Sequence, residues 1–499
     1  MDSLLPQKNQ PKIRYAKDSL SEKILATHDL VMVLVPDKPA KTLLRQCPRS
    51  PELLHQYDQT QSQQPPNWLY LSANKDSGAL LLIFVKNAAN AFESLQSAAK
   101  AWKEASKLSA ASIALCTLDL EPAQSNILLN THLAAILAGS AELPNYKQKK
   151  TPSTLKSITL LQGSSADFAN TLATHAGNHL ARWLTALPPN TLHCESYRHA
   201  LEQLAQQHGW QAEFITQSAL KKHKAGAFLA VSRANAHSHA GIMRLNYRGG
   251  SHNNKTAKKI TLIGKGICFD TGGINLKSHK SMYDMHTDMQ GSAVAVGTLL
   301  ALTLLKVPVD IECWLALTEN EIGPNAYRPQ EVITASNGVT IQVVHSDAEG
   351  RMVLADTLAL AAKHKPNLMI DFATLTGACV GALTERMSGA FSNRSEFRDS
   401  IEQAGCISGE RVWSFPMDAD FDTELESPVA DIMQCTHDSK GDHILAARFL
   451  NRFVPEHIPW IHIDLSSANK TGGLAHIPTE ITGFGVRWAV EFITHHSFN

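Results

Sequence analysis

The sequence lacks most of the short motifs that announce a chemistry. No CxxC pair occurs, and the eight cysteines stand far apart, at 47, 116, 194, 268, 313, 379, 406 and 435. Several lie in apolar runs, as Cys116 and Cys313 do. They read as reduced core residues of a cytosolic chain, not as a disulfide framework or a zinc cluster. The 23 histidines supply no HExxH pair. Neither GxxxxGKS nor GxxxxGKT is present, so Gly264-Lys265-Gly266 is not a phosphate loop. No apolar run approaches ~18 residues, so no transmembrane helix is expected. The first eight residues contain no apolar h-region, and a secretory signal is not expected. An excess of one charge is missing too: 46 Lys plus Arg balance 46 Asp plus Glu. No global field therefore favours nucleic acid or an anionic membrane. The basic stretches 147–150 and 221–224 read as solvated surface. A cytoplasmic location follows by default.

What is present is an ordinary globular composition, 43% hydrophobic and 18% charged, over 499 residues. That length exceeds one hydrophobic core and predicts two or three domains. Residues 1–20 read as irregular. From about 28 to 160, strands at Leu30–Val35, Trp68–Ser72, Leu80–Val85, Ile113–Leu118 and Ser157–Leu161 alternate with helices at Ala91–Lys107 and Ser125–Ala141. Gln59–Pro66 is a loop by its Gln and Pro content. The spacing over 165–186 predicts a connecting helix that Ser165 can cap, ending at Pro188-Pro189-Asn190. Beyond it, Lys259–Ile263, Val309–Leu317, Val339–Val344, Leu368–Ala373 and Trp460–Leu465 look like buried parallel strands. Helices fall between them, at Ser292–Leu305 and Met352–His364. The expected class is α/β: an N-terminal α/β domain at 1–164, a connecting helix at 165–189, and a domain at 190–499 with a central, mostly parallel sheet flanked by helices.

Three acidic clusters with nearby cations stand out in the second domain. They are Lys265, Asp270 and Lys277; Asp284 and Asp288; and Asp347, Glu349 and Arg351. Two lie at expected strand ends, the edge where open α/β sheets bind ligands. Two divalent ions ~3.5–4 Å apart need bridging carboxylates. Asp270, Asp288, Asp347 and Glu349 supply four, and in an extended segment Asp347 and Glu349 would point the same way. Two nearby dications would depress the pKa of Lys265 enough to make its amine a ligand. Lys277, if protonated, can polarise a carbonyl, and Arg351 can hold an anion. Each cluster alone has a plainer reading: a capping box at Ser346–Glu349, a turn at Asp270–Gly273, a solvated helix face at Asp284 and Asp288. Their joint occurrence in one domain favours metal-assisted hydrolysis.

These pieces resemble the leucine aminopeptidase family of di-metal exopeptidases. The matching segments are 263–277, 285–291, Asp-Ala-Glu-Gly-Arg at 347–351, 373–378, 427–432, 446–450, 459–464 and 482–487. The resemblance covers residues 180–499, while 1–165 fit only in size and α/β character. It implies one metal on Lys265, Asp270, Asp288 and Glu349, and another on Asp270, Asp347 and Glu349. Manganese or zinc is expected there, and magnesium or cobalt can serve. It makes Lys277 and Arg351 the catalytic pair, with a bicarbonate on the arginine as general base. Peptides are the implied substrates, their free α-amine bound at one metal and an acidic ligand, and the implied assembly is a homohexamer. Met285, Thr374 and Gly377 would line the side-chain pocket, with Ser466 and Asn469 nearby. These polar residues argue against a strict leucine preference.

The chain also departs from the family pattern. His345-Ser346 stands where Asn-Thr is usual, Gln290 where a smaller residue is common, and His286 where Lys or Arg is frequent. Asp438–His443 replaces a stretch rich in glycine and alanine. None is an expected ligand. A DNA-binding regulator is disfavoured by neutral charge and a pI near 7.4. An inactive relative is disfavoured by the seven intact positions, and a phosphatase or amidase by the lysine ligand and arginine-held anion.

Overall fold

The structure, a computed structural model, describes residues 4–6, 10–60, 67–86, 88–149, 153–235, 239–250 and 258–495. The chain divides into two compact units. One holds Met1–Gln7, Ala176–Gly472 and Thr479–Asn499, the other Lys8–His175 and Gly473–Pro478.

The smaller unit is built on a six-stranded sheet. Its order is Lys12–Ala16, Ser157–Leu161, Ser112–Thr117, Leu30–Pro36, Ala79–Val85, Trp68–Leu71. All pairs are parallel except the last. Leu30–Val35 is buried at every position, as its unbroken apolar run requires. The helix Ala91–Ser106 is capped by Asn90 and buries Phe92, Leu95, Ala98, Ala101 and Ala105, one face at helical spacing. Of the expected loop at 59–66, residues 59 and 60 end the helix Ser50–Thr60 and the remainder lies outside the described residues. The helix expected from 165 begins as a 3-10 turn at Ala166–Phe168 and continues as Ala169–Thr185. Ser165 does not cap it. Instead the Asp167 carboxylate accepts from the Ser164 amide and hydroxyl at 2.8 Å each.

The larger unit carries an eight-stranded mixed sheet in the order Val412–Ser414, Ser388–Ser392, Trp460–Asp464, Leu368–Ala373, Lys259–Asp270, Asp310–Asn320, Gly241–Arg248, Gln211–Thr216. The four strands from Trp460–Asp464 to Asp310–Asn320 are mutually parallel. Two helices packed on them, Gln290–Leu304 and Glu349–Ala362, are buried almost all round. Apolar residues therefore occupy every face of both, which leaves no amphipathic stripe.

Two expectations change here. Lys265 does not follow a strand: it sits inside the twelve-residue strand Lys259–Asp270. The flanking glycines look like a strand break, yet they serve packing. A Cβ on Gly264 would stand 2.4 Å from the Ser292 Cα, and one on Gly291 would stand 2.1 Å from the Phe372 carbonyl oxygen. Bare backbone lets the helix approach the sheet closely. Likewise, Val339–Val344 is not a strand of the main sheet. Only Thr340–Gln342 is extended, in a separate three-stranded sheet with Val332–Thr334 and Ile432–Met433. Periodicity cannot distinguish these, because both are short apolar runs.

This contact gives a test. Gly291→Ala forces the helix off the sheet and should cost about 1–3 kcal/mol of stability. An unchanged urea midpoint would refute the close-packing argument.

Candidate metal centre

The strand Lys259–Asp270 delivers two side chains to one end of the sheet. Side chains alternate between faces along a strand. Gly264 faces the 290–304 helix, and Lys265 reaches Gly350, where an added Cβ would lie 2.6 Å from the lysine Cε. Asp270 ends the strand, and register places Asn320 of the neighbouring strand beside it. Gly272 and Gly273 then take φ of 87° and 64°, which glycine adopts without strain. The turn is closed by the Lys277 amide donating to the Thr271 carbonyl at 3.0 Å. Lys277 is thereby folded back over Asp270.

The Ser346–Arg351 segment is not a capping box. Its helix starts at Glu349, and the N-cap, Ala348, offers no side-chain acceptor. The Ser346 hydroxyl instead donates to the Gly272 carbonyl at 2.7 Å and accepts from the Asn275 amide at 2.7 Å. This ties the signature segment to the glycine turn. Tyr327 donates to the Ser346 carbonyl at 2.6 Å. Asp347 and Glu349 therefore converge without an extended backbone, Glu349 from the first helical turn, where the helix dipole favours an anion. Asp288 is buried at the end of the 3-10 turn Met285–Thr287, while Asp284 is exposed. The i,i+4 pair is thus not a solvated face.

Oxygens of Asp270, Asp347 and Glu349 all lie within 4.8 Å of one another. Lys265 joins Asp288 to this group, its ammonium 2.9 Å from both Asp288 and Glu349. It also donates to the Thr374 carbonyl at 2.9 Å. Lys277 spans the other side, 2.8 Å from Asp270 and 2.5 Å from Asp347. Asp288 accepts from the Thr374 hydroxyl at 2.7 Å, but its other oxygen is buried with no hydrogen-bond partner.

Four carboxylates against two ammoniums leave an excess of two negative charges in a largely buried place. Burial, then repulsion from Glu349 and Asp288, drives the Asp270 carboxyl well above its usual range. Burial likewise pushes Asp288 up to about 6, against the pull of Lys265. Asp347 rises by burial and by the charge of Glu349. Glu349, despite burial, is held below its ordinary value by Lys265 and Lys277. Burial would lower Lys265, but Asp288, Glu349 and Asp270 hold it well above the usual lysine value. To act as a ligand it must lose its proton to solvent as a cation binds, the cation's charge lowering its pKa. Crowded acids, an orphaned buried carboxylate oxygen and a donor set of carboxylates with one amine fit hard or borderline divalent ions.

Of the expected pocket residues, Met285 is half-buried beside Asp288, and Thr374 is committed to Asp288 and Lys265. Gly377 is exposed, with open space where a side chain would stand. Ser466 donates to the Met387 carbonyl at 3.0 Å, and the Asn469 amide reaches the Thr287 hydroxyl at 3.4 Å. Arg351 is 2% exposed and pairs with Asp442.

Two supports have no sequence signal of their own. Asn320 donates to Asp270 at 2.8 Å, to the Ser346 carbonyl at 3.1 Å and to Glu349 at 3.4 Å. Only its place at the end of a strand could have drawn notice. Gln434 accepts from the Val344 and His345 amides and donates to the Ala348 carbonyl, each at 3.1 Å. Because Asn320 orients two carboxylates, Asn320→Ala should weaken divalent-ion affinity about 10–100-fold. Manganese titration calorimetry measures this, and unaltered affinity would deny Asn320 the role.

The cytosol aminopeptidase family, catalytic domain, matches residues 179–490, more than half of the chain. A probable cytosol aminopeptidase of Rhodopseudomonas palustris is 40% identical over 320 residues, 64% of this chain and 62% of that relative. The match thus spans less than two thirds of the relative's length. A tomato leucine aminopeptidase variant superposes with a TM-score of 0.85 at 25% identity, covering 99% of both chains. The bottromycin maturation enzyme BotP, solved in complex with Mn, gives 0.79 at 26% identity over 93% of this chain and 98% of that one. By its matched sequence, this chain belongs to the cytosol aminopeptidase family.

Proposed function

We propose that the protein is a metal-dependent aminopeptidase that removes N-terminal residues from peptides. The observation that carries the reading is the convergence of Asp270, Asp288, Asp347 and Glu349 around Lys265 and Lys277 at one end of a mostly parallel sheet. Lys265, Asp270, Asp288 and Glu349 would hold one divalent ion, and Asp270, Asp347 and Glu349 a second. Manganese or zinc suits the set best, and magnesium or cobalt can replace them. Such a pair supplies a water acidic enough to act as a nucleophile at neutral pH.

The chain's own residues do the rest. Asp288 adds a negative charge for the substrate's α-amine, which restricts cleavage to the first residue. Asp270 and Glu349 outweigh burial and hold Lys277 above the usual lysine value. Its ammonium polarises the scissile carbonyl and meets charge that develops in the transition state. Arg351 would hold the oxyanion that serves as general base. Met285, Thr374 and Gly377 would border the side-chain pocket. The working form is proposed to be a cytoplasmic homohexamer. No helix among the described residues is long and apolar enough to cross a membrane.

Leucyl-, methionyl- and alanyl-amides should be hydrolysed with added manganese, and a chelator should stop the reaction. Undiminished turnover by metal-free protein would overturn the reading. Lys277→Ala should lower kcat about 10²–10³-fold, the scale of a lost oxyanion donor, with manganese content unchanged by elemental analysis. Full activity in that variant would remove Lys277 from the mechanism.

A further inference from the structure

Arg351 lies two residues beyond Glu349, in the first turn of the 349–362 helix. Its Nη2 donates to both oxygens of Asp442, at 2.9 and 2.8 Å. Its Nη1 donates to the Gln434 carbonyl at 3.2 Å. Nε is buried without a partner. The side chains of Arg351 and Asp442 are 3% and 18% exposed. Asp442 opens the helix Asp442–Asn451, and Gly441 before it turns the chain with φ 61°. This backbone aims the carboxylate at the guanidinium.

A buried guanidinium cannot shed its proton and needs an anion beside it. Here the anion is part of the chain. Both Nη2 bonds already go to Asp442, so a bicarbonate, a planar oxyanion, placed on this guanidinium would have to settle against that carboxylate. Like charges at that separation oppose one another. The guanidinium as it stands therefore does not fit an added bicarbonate. A glycine at 442, lacking any side chain, would leave Nη2 bare.

We propose that Asp442 is the resident oxyanion of Arg351, occupying from within the chain the place a bicarbonate would take. The proposal rests on the reading of Arg351 as the residue that holds the base. It makes hydrolysis independent of dissolved bicarbonate, and it assigns the Asp438–His443 segment a part in the site.

The test uses the full-length, manganese-loaded protein in carbon-dioxide-depleted buffer. Wild-type kcat on leucyl-amide should stay flat across a bicarbonate titration. Asp442→Gly should lose about a hundredfold in kcat, the middle range for a missing general base, and recover most of it on adding bicarbonate. Asp442→Asn keeps the size and helical position but not the charge, and should show a similar loss. Bicarbonate should raise the melting temperature of the glycine variant and leave that of the wild type unmoved. Stimulation or stabilisation of the wild type by bicarbonate overturns the proposal. So does wild-type activity of either variant in depleted buffer. A wild type that hydrolyses no aminoacyl-amide removes the aminopeptidase reading instead. The melting measurements then still report whether Asp442 keeps bicarbonate off Arg351.

Discussion

Burial of four carboxylates against two ammonium groups is the constraint on which the larger unit turns. Charges taken out of water are costly unless they are paired and fully hydrogen-bonded. Lys265 and Lys277 offset half of the negative charge, each spanning two acids. Burial, and after it the repulsion of the remaining negative charge, raises Asp270, Asp288 and Asp347, and one Asp288 oxygen is left without a partner. Such an arrangement is poor as a structural device and suited to receiving cations.

The rest of the fold holds these groups together. Gly264 and Gly291 bring helix and sheet into backbone contact, and Gly350 leaves room for the lysine stem. Asn320 and Ser346 fasten strand end, glycine turn and signature segment with hydrogen bonds between uncharged donors and fixed acceptors. These groups carry no net charge, so they orient the carboxylates without changing the balance of the site. Arg351 is neutralised separately by Asp442. Its positive charge is met mainly by Asp442, with Glu349 contributing less.

Much of this was legible from residue order. The largely apolar segments Leu368–Ala373 and Trp460–Asp464 are strands buried on both faces, and the polar residues within them are satisfied there, Asp371 accepting from Trp460 and pairing with His462. The clusters around Lys265, Asp288 and Asp347 were visible as unusual concentrations of acid and cation. Other elements misled for physical reasons. Gly264-Lys265-Gly266 resembles a break until the helix packed against it is known. Ser346 resembles a cap until its hydroxyl is seen bound to Gly272 and Asn275. Thr340–Gln342 resembles a core strand, although its partners lie in another sheet.

The sequence by itself determined the donor chemistry: which acids and lysines exist, their order, and the apolar segments that force a sheet covered by helices. Tertiary structure alone decided which of those donors meet. The register of Asp310–Asn320 on Lys259–Asp270 sets Asn320 beside Asp270, and the turn at Gly441 brings Asp442 to Arg351. Local patterns record whether a side chain is apolar or charged. They do not record distances between distant segments, and electrostatic energy depends on those distances.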